Sequence, residues 1–93
     1  MKLTKKDKQL LISIGYEKKD FLQIEQATSK TVYEHYPKMG VGWKITMQEA
    51  IDILGKKEFL SGIARSAFHW SAIRLAPDGS EVYLIVQNCL LNQ

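Results

Sequence analysis

The chain has 93 residues, 45% of them hydrophobic and 25% charged, with a formal net charge of +3. That length provides for one hydrophobic core, since two would each fall below a self-supporting size. The balance of apolar and charged residues excludes a disordered tail, a collagen-like fibre and a disulfide-knotted miniprotein.

Thr4 followed by Asp7 reads as the start of a first helix, a capping box with Asp in place of the usual Glu or Gln. Leu3, Leu10, Leu11 and Ile14 then share one helical stripe, interrupted by Asp7. Gly15 stops this helix, because glycine accepts the left-handed backbone that follows a C-cap. A second helix is predicted over residues 17–28, with Phe21, Ile24 and Ala27 on one side. Only Gly15 and Tyr16 separate the two, so they form a helical hairpin or corner.

Residues 31–36 are β-prone by type, and Trp43-Lys44-Ile45 follows after Pro37, Gly40 and Gly42, so two short strands joined by a loop are expected. Thr46-Met47-Gln48-Glu49 is a complete T-x-x-E capping box. Met47, Ala50, Ile51 and Leu54 then follow helical spacing, and Gly55 ends the helix. A fourth helix is predicted over residues 56–67, with Phe59, Leu60, Ile63, Ala64 and Ala67 as its apolar stripe. Gly62 inside it costs about 1 kcal/mol relative to alanine, which points to close packing there.

Residues 68–75 and 81–87 read as a hairpin turned by Ala76-Pro77-Asp78-Gly79-Ser80. Val82, Leu84 and Val86 face one way, Tyr83 and Ile85 the other. Apolar residues on both faces imply a central strand, or an edge covered by a helix or partner. Cys89, Leu90 and Leu91 are expected to dock. The expected fold class is α+β, a single domain over residues 1–93 of order α-α-β-β-α-α-β-β.

The longest apolar run, residues 82–86, is far below the roughly 20 residues that span a bilayer. After the N-terminal lysines comes only a short apolar stretch, residues 10–14, so no signal peptide and no membrane partner are expected. Cys89 is the single cysteine and has no internal disulfide partner, which fits a cytoplasmic, reducing compartment.

No catalytic, metal or cofactor site is expected. His35, His69 and Cys89 show no ligand spacing. The Gly40-Val41-Gly42 run lacks the third glycine and the Lys-Ser/Thr of a phosphate loop, so it reads as a hairpin loop. His69 and Ser71, read onto one strand face, lack an acid partner and a nucleophile elbow. The chain is therefore read as a non-enzyme.

Candidate binding residues fall into two groups. Tyr33, Tyr36, Met39, Val41 and Trp43 crowd one segment, and aromatic residues and methionine are favoured contact anchors. Tyr33 and Trp43 also suit the domain's own core; Tyr36, Met39 and Trp43 are the partner candidates. The polar side of the fourth helix, with Ser61, Arg65, Ser66 and His69, is a second candidate surface. Arg65 and Arg74 also suit simple surface ion pairs.

The charge permits a polyanionic partner. Residues 1–46 carry nine lysines and five acids, whereas residues 47–93 carry four basic residues and five acids. In a helix-turn-helix reading Gly15 occupies the turn and Lys18, Lys19 and Gln23 face DNA. Such a motif wants a small residue where Leu11 stands. In a winged-helix reading, residues 56–67 form the recognition helix and present Lys57, Ser61 and Arg65. Its wing tip would carry Asp78 and Glu81, the wrong sign for phosphate. A homodimer through the C-terminal strand is a further expectation, since exposed apolar edges tend to be paired or covered.

Two segments, LTKKDKQLLISIGYEKKDFLQIEQA at residues 3–27 and ITMQEAIDILGKKEFLSGIARSAFHWSA at residues 45–72, resemble small uncharacterised proteins of phages and integrative elements of Gram-positive Firmicutes. The most distinctive stretch is residues 58–72. The resemblance brings no activity and no functional residue; what it implies is context. Small accessory proteins of mobile elements bind and inhibit host machinery, including CRISPR effectors, or regulate their own operons. The expectation is a protein-binding accessory protein with a host or phage protein as partner, in its sharpest form an anti-CRISPR-type inhibitor of a host nuclease complex. The alternative is a small DNA-binding regulator.

Overall fold

A computed structural model describes residues 1–87; Cys89, Leu90 and Leu91 lie outside the described residues. The first helix, α1 (Lys5–Ser13), begins at the capping box the sequence predicts. The Thr4 hydroxyl accepts from the Asp7 N–H, and the Asp7 carboxylate accepts from the Thr4 N–H. Asp7 is buried there, with the Lys56 ammonium 3.7 Å from its other oxygen. At the far end the Gly15 N–H bonds the Ile12 carbonyl and the Tyr16 N–H bonds the Leu11 carbonyl. Gly15, at φ +110°, closes the helix in the Schellman arrangement.

The second helix starts later than residue 17. The Glu17 N–H donates to the Asp20 carboxylate, which tightens Lys18–Asp20 into a 3₁₀ turn, and α2 runs over Phe21–Lys30. Next come β1 (Thr31–Tyr36), β2 (Trp43–Ile45), α3 (Met47–Leu54), α4 (Lys56–His69), β3 (Ser71–Leu75) and β4 (Glu81–Val86). Thr46 supplies the full capping box of α3. The fourth helix runs two residues past the predicted end, so Phe68 and His69 are helical rather than extended. Tertiary contacts outweigh the β-preference of this aromatic stretch: Gln23 Nε2 donates to the Ala67 carbonyl at 2.9 Å, and the Phe68 and Tyr16 rings stack at 6.2 Å. Trp70, at φ +44°, then turns the chain into β3, so His69 and Ser71 share no strand face.

The molecule is α+β, with all four strands in one antiparallel sheet of order β2-β1-β4-β3. One face carries Tyr33, Ala72, Val82, Leu84 and Val86, all buried beneath the helices. Of the two placements its apolar faces allow, β4 takes the central one. Both its edges are bonded, to β1 and β3, which leaves no edge of β4 for a homodimer to pair with.

Above the covered face lies α4, packed against the other three helices and against β3 and β4. Phe59, Leu60 and Ile63 on it are wholly buried. Gly62 meets the close contact that its presence inside the helix predicts. A Cβ there would stand 2.7 Å from Cγ of Arg74, whose side chain crosses beneath the helix to pair with Glu58. No helix among the described residues is long and apolar enough to cross a membrane.

The joints between elements are short. No residue separates α2 from β1, and one residue each separates β2 from α3 (Thr46), α3 from α4 (Gly55) and α4 from β3 (Trp70). The longer connections, residues 37–42 and 76–80, meet at one end of the sheet, where the Lys38 side chain lies over Gly79.

Two outcomes follow. Gly62→Ala gains about 1 kcal/mol of helix propensity but forces Arg74 aside, at about 1–3 kcal/mol of overpacking, so thermal denaturation will show a net loss. In an Arg74→Ala background the same change loses most of that penalty, leaving only the 3.3 Å approach to Leu84 Cδ1. Tyr33, buried with its hydroxyl donating to the Thr28 carbonyl, is pushed by burial from its ordinary 10.0 to about 12. Its neutral form is favoured in the folded state, so this contribution is whole below pH 10 and is lost as pH rises towards 12. Urea denaturation will fall more steeply across that window for the wild type than for Tyr33→Phe.

Candidate functional site

Among the described residues no helix lies over the second face of the sheet. Cross-strand register sets its side chains in three rows: Tyr36, Glu81 and Leu75; then Lys44, Glu34, Tyr83 and Ile73; then Val32, Ile85 and Ser71. Tyr36, Ile73 and Leu75 are exposed. The Tyr36 and Tyr83 rings meet edge to face at 5.0 Å. Tyr36 donates its phenol hydrogen to Glu34 and Tyr83 donates to Glu81, both at 3.1 Å, and these carboxylate bonds hold both phenol pKa values above the usual range. Two aromatic rings and two carboxylates thus alternate across β1 and β4, on a face that also carries Val32, Ile73, Leu75 and Ile85 with Lys44 and Ser71.

The β1–β2 loop rises beside this face. At its base Gly42 lies against the Tyr36 ring so closely that a Cβ would stand 2.3 Å from Cδ1. At its tip Met39 and Val41 are 91% and 87% exposed. The register divides the aromatic segment that the sequence groups together. Tyr33 is in the core and Tyr36 on the open face, while Trp43 shares the helix side with His35, its ring edge-on to the imidazole at 5.3 Å. Trp43 remains exposed on the edge strand β2, so it does not serve the core as expected.

On α4, Ser61, Arg65 and His69 fall on one stripe, of which Arg65 and His69 are exposed and Ser61 is half-buried. Ser66 leaves this surface: it is buried and donates to the Ile63 carbonyl. Arg65 and His69 border two separate depressions. A groove of about 390 Å³ between α4 and β3 is lined by Arg65, Ser71, Ala72, Ile73 and Arg74. An open cleft of about 310 Å³ is lined by Gly15, Tyr16, Asp20, Phe68 and His69.

Of the residues named for DNA contact, those of the helix-turn-helix reading are largely engaged elsewhere, while Lys57, Ser61 and Arg65 share one stripe of α4. Gln23 is committed to the Ala67 carbonyl, and Lys19 pairs with Glu17 at 3.2 Å, which holds the Lys19 pKa above its ordinary value. Lys18 is exposed in the 3₁₀ turn, whereas Lys57 and Arg65 sit on α4. That helix is the middle of the core, with neighbours on most sides, rather than a projecting recognition helix.

A polar cluster that sequence reasoning missed joins His35 to the β3–β4 turn. Ser80 is buried and donates its hydroxyl hydrogen to Asp78 Oδ1 at 2.6 Å, while its oxygen lies 2.9 Å from His35 Nε2. The hydroxyl has one hydrogen, so His35 Nε2 is the donor in the second bond. The order is Asp–Ser–His, with serine in the middle; a nucleophilic triad needs histidine there, accepting the serine proton. The Ser80 bonds hold the Asp78 carboxyl below its ordinary range. This cluster ties the β3–β4 turn to β1. His35 and Ser80 stand 45 residues apart, so only the β1–β4 register brings them together.

Among the described residues no three His, Cys, Asp or Glu side chains are grouped to hold a metal ion. The chain matches no protein-family model, no curated protein and no solved structure.

Ser80→Ala removes both bonds of the cluster, while the exposed Asp78 carboxylate regains water. Denaturant titration will register a loss of about 1 kcal/mol, with the sheet intact by circular dichroism.

Proposed function

We propose that this chain is a protein-binding domain that seats its partner on the open sheet face and the β1–β2 loop. The exposure of Met39 and Val41 on a loop rooted against Tyr36, beside an uncovered face bearing Ile73 and Leu75, carries the reading. Soluble proteins seldom leave large apolar side chains together in water unless a partner covers them. Tyrosine and methionine give large contact area, and rings held by hydrogen bonds to Glu34 and Glu81 lose little freedom on binding.

The DNA-binding alternative draws less support, because Gln23 is engaged and α4 is embedded. In the light of the resemblance of residues 3–27 and 45–72, the partner is a host or phage protein. Inhibition of a CRISPR nuclease complex is the sharpest form of the proposal.

The test is capture by the tagged chain from a Gram-positive lysate, with and without nuclease, followed by affinity measurement on the retained protein. Tyr36→Ala with Met39→Ala will weaken that affinity by about tenfold or more while leaving the melting transition within a few degrees. Capture that vanishes on nuclease treatment and falls steeply with salt would transfer the function to nucleic acid.

A further inference from the structure

The outer edge of β3 is built differently from the open face. The Val86 N–H donates to the Trp70 carbonyl at 2.7 Å and the Ala76 N–H to the Ser80 carbonyl at 2.8 Å. Together with the β3–β4 register, these bonds make Trp70, Ala72, Arg74 and Ala76 the residues that bond inward to β4. Alternation then turns the N–H and carbonyl groups of Ser71, Ile73 and Leu75 outward, and among the described residues no strand pairs with them. Edges of this kind are commonly blunted by proline, a bulge or a covering loop. Among the described residues this one has none of these along Ser71–Leu75, and it opens onto the groove beneath α4.

Both arginines of the chain line that groove. Arg65 is exposed and forms no ion pair among the described residues. Arg74 spends one terminal nitrogen on Glu58, and its Nε is buried without a hydrogen-bond partner. Ile73 and Leu75, on the other side of the strand, are exposed.

We propose that this edge takes an extended, acidic peptide segment of a partner protein as an added strand. The backbone of Ser71, Ile73 and Leu75 supplies the ladder. Side chains alternate across a strand, so one set descends into the groove, where a carboxylate meets Arg65 and Arg74 in a charge-assisted contact. The other set lies beside Ile73 and Leu75 and is apolar. The peptide therefore alternates acidic with apolar residues. A second copy of the chain is the poorer occupant, since pairing β3 with β3 places the arginines of both copies on the same side.

The test selects a random peptide library on the full chain and then titrates the enriched peptides while following backbone amide signals. Enriched peptides will carry Asp or Glu at alternate positions, and the shifts will centre on residues 71–75 and Arg65. Arg65→Glu, on an exposed position, will weaken binding by about tenfold or more. Ile73→Pro will do the same by removing an outward N–H; the inward ladder to β4 keeps its bonds, as edge-strand prolines allow. If Ile73→Pro fails to fold, Arg65→Glu carries the test. Tyr36→Ala with Met39→Ala will bind the peptides normally, so this edge and the open face succeed or fail separately. Peptides without acidic bias, shifts elsewhere, or undiminished binding by Arg65→Glu would overturn the proposal. A concentration-dependent dimer whose β3 signals change on dilution would overturn it too, in favour of a second copy.

Discussion

Phe59, Leu60 and Ile63 lie on one helix and have lost all contact with water, and the other helices of the chain are arranged to keep them so. The small buried residues Gly62, Ala64, Ser66 and Ala67 lie beside and after these large ones on α4. They let β3, β4 and the neighbouring helices approach closely, so few residues suffice to build the core. A domain of this length has limited apolar surface to bury. Once three of the described helices have gathered around the fourth on one side of the sheet, none of them remains for the other side. The open face is thus a consequence of where α4 lies.

Local signals in the sequence located most of this. Both Thr-led capping boxes, the stops at Gly15 and Gly55 and the Asp78-Gly79 turn each depend on residues within a few positions of one another, and all are found where the spacing puts them. The apolar residues on both faces of residues 82–86 leave a central strand or a covered edge, and the strand order decides for the first. The misplaced end of α4 is set from a distance, and the misplaced start of α2 by a local turn. Gln23 holds the end of α4 from 44 residues away and Tyr16 stacks on Phe68, so two residues that look extended become helical. Glu17 and Asp20 form a tight turn where a helix start was expected.

The candidate surfaces were less legible, for the same reason. Tyr36, Met39 and Trp43 are near in sequence, yet strand alternation and the position of β2 send them to an open face, a loop tip and the helix side respectively. Arg65 and Arg74 belong to a helix and a strand that the sequence gives no cause to pair, and the groove exists only because β3 is an edge. The His35–Ser80 contact depends on register alone. Pattern reading recovers which residues are apolar or charged, whereas their grouping into surfaces needs strand order and pairing.

The economy of the joints has a consequence for how such a chain can change over generations. Where one residue or none links two elements, an insertion would shift a whole helix or strand against the core. The two longer loops are the places that tolerate new length and new side chains. They stand together at one end of the sheet, anchored by the Tyr36–Gly42 contact and the Asp78–Ser80–His35 bonds. Variation in Met39, Val41 and the residues beside them is therefore decoupled from the packing around α4. A lineage carrying this domain can remodel that end alone, with little cost to the stability of the rest.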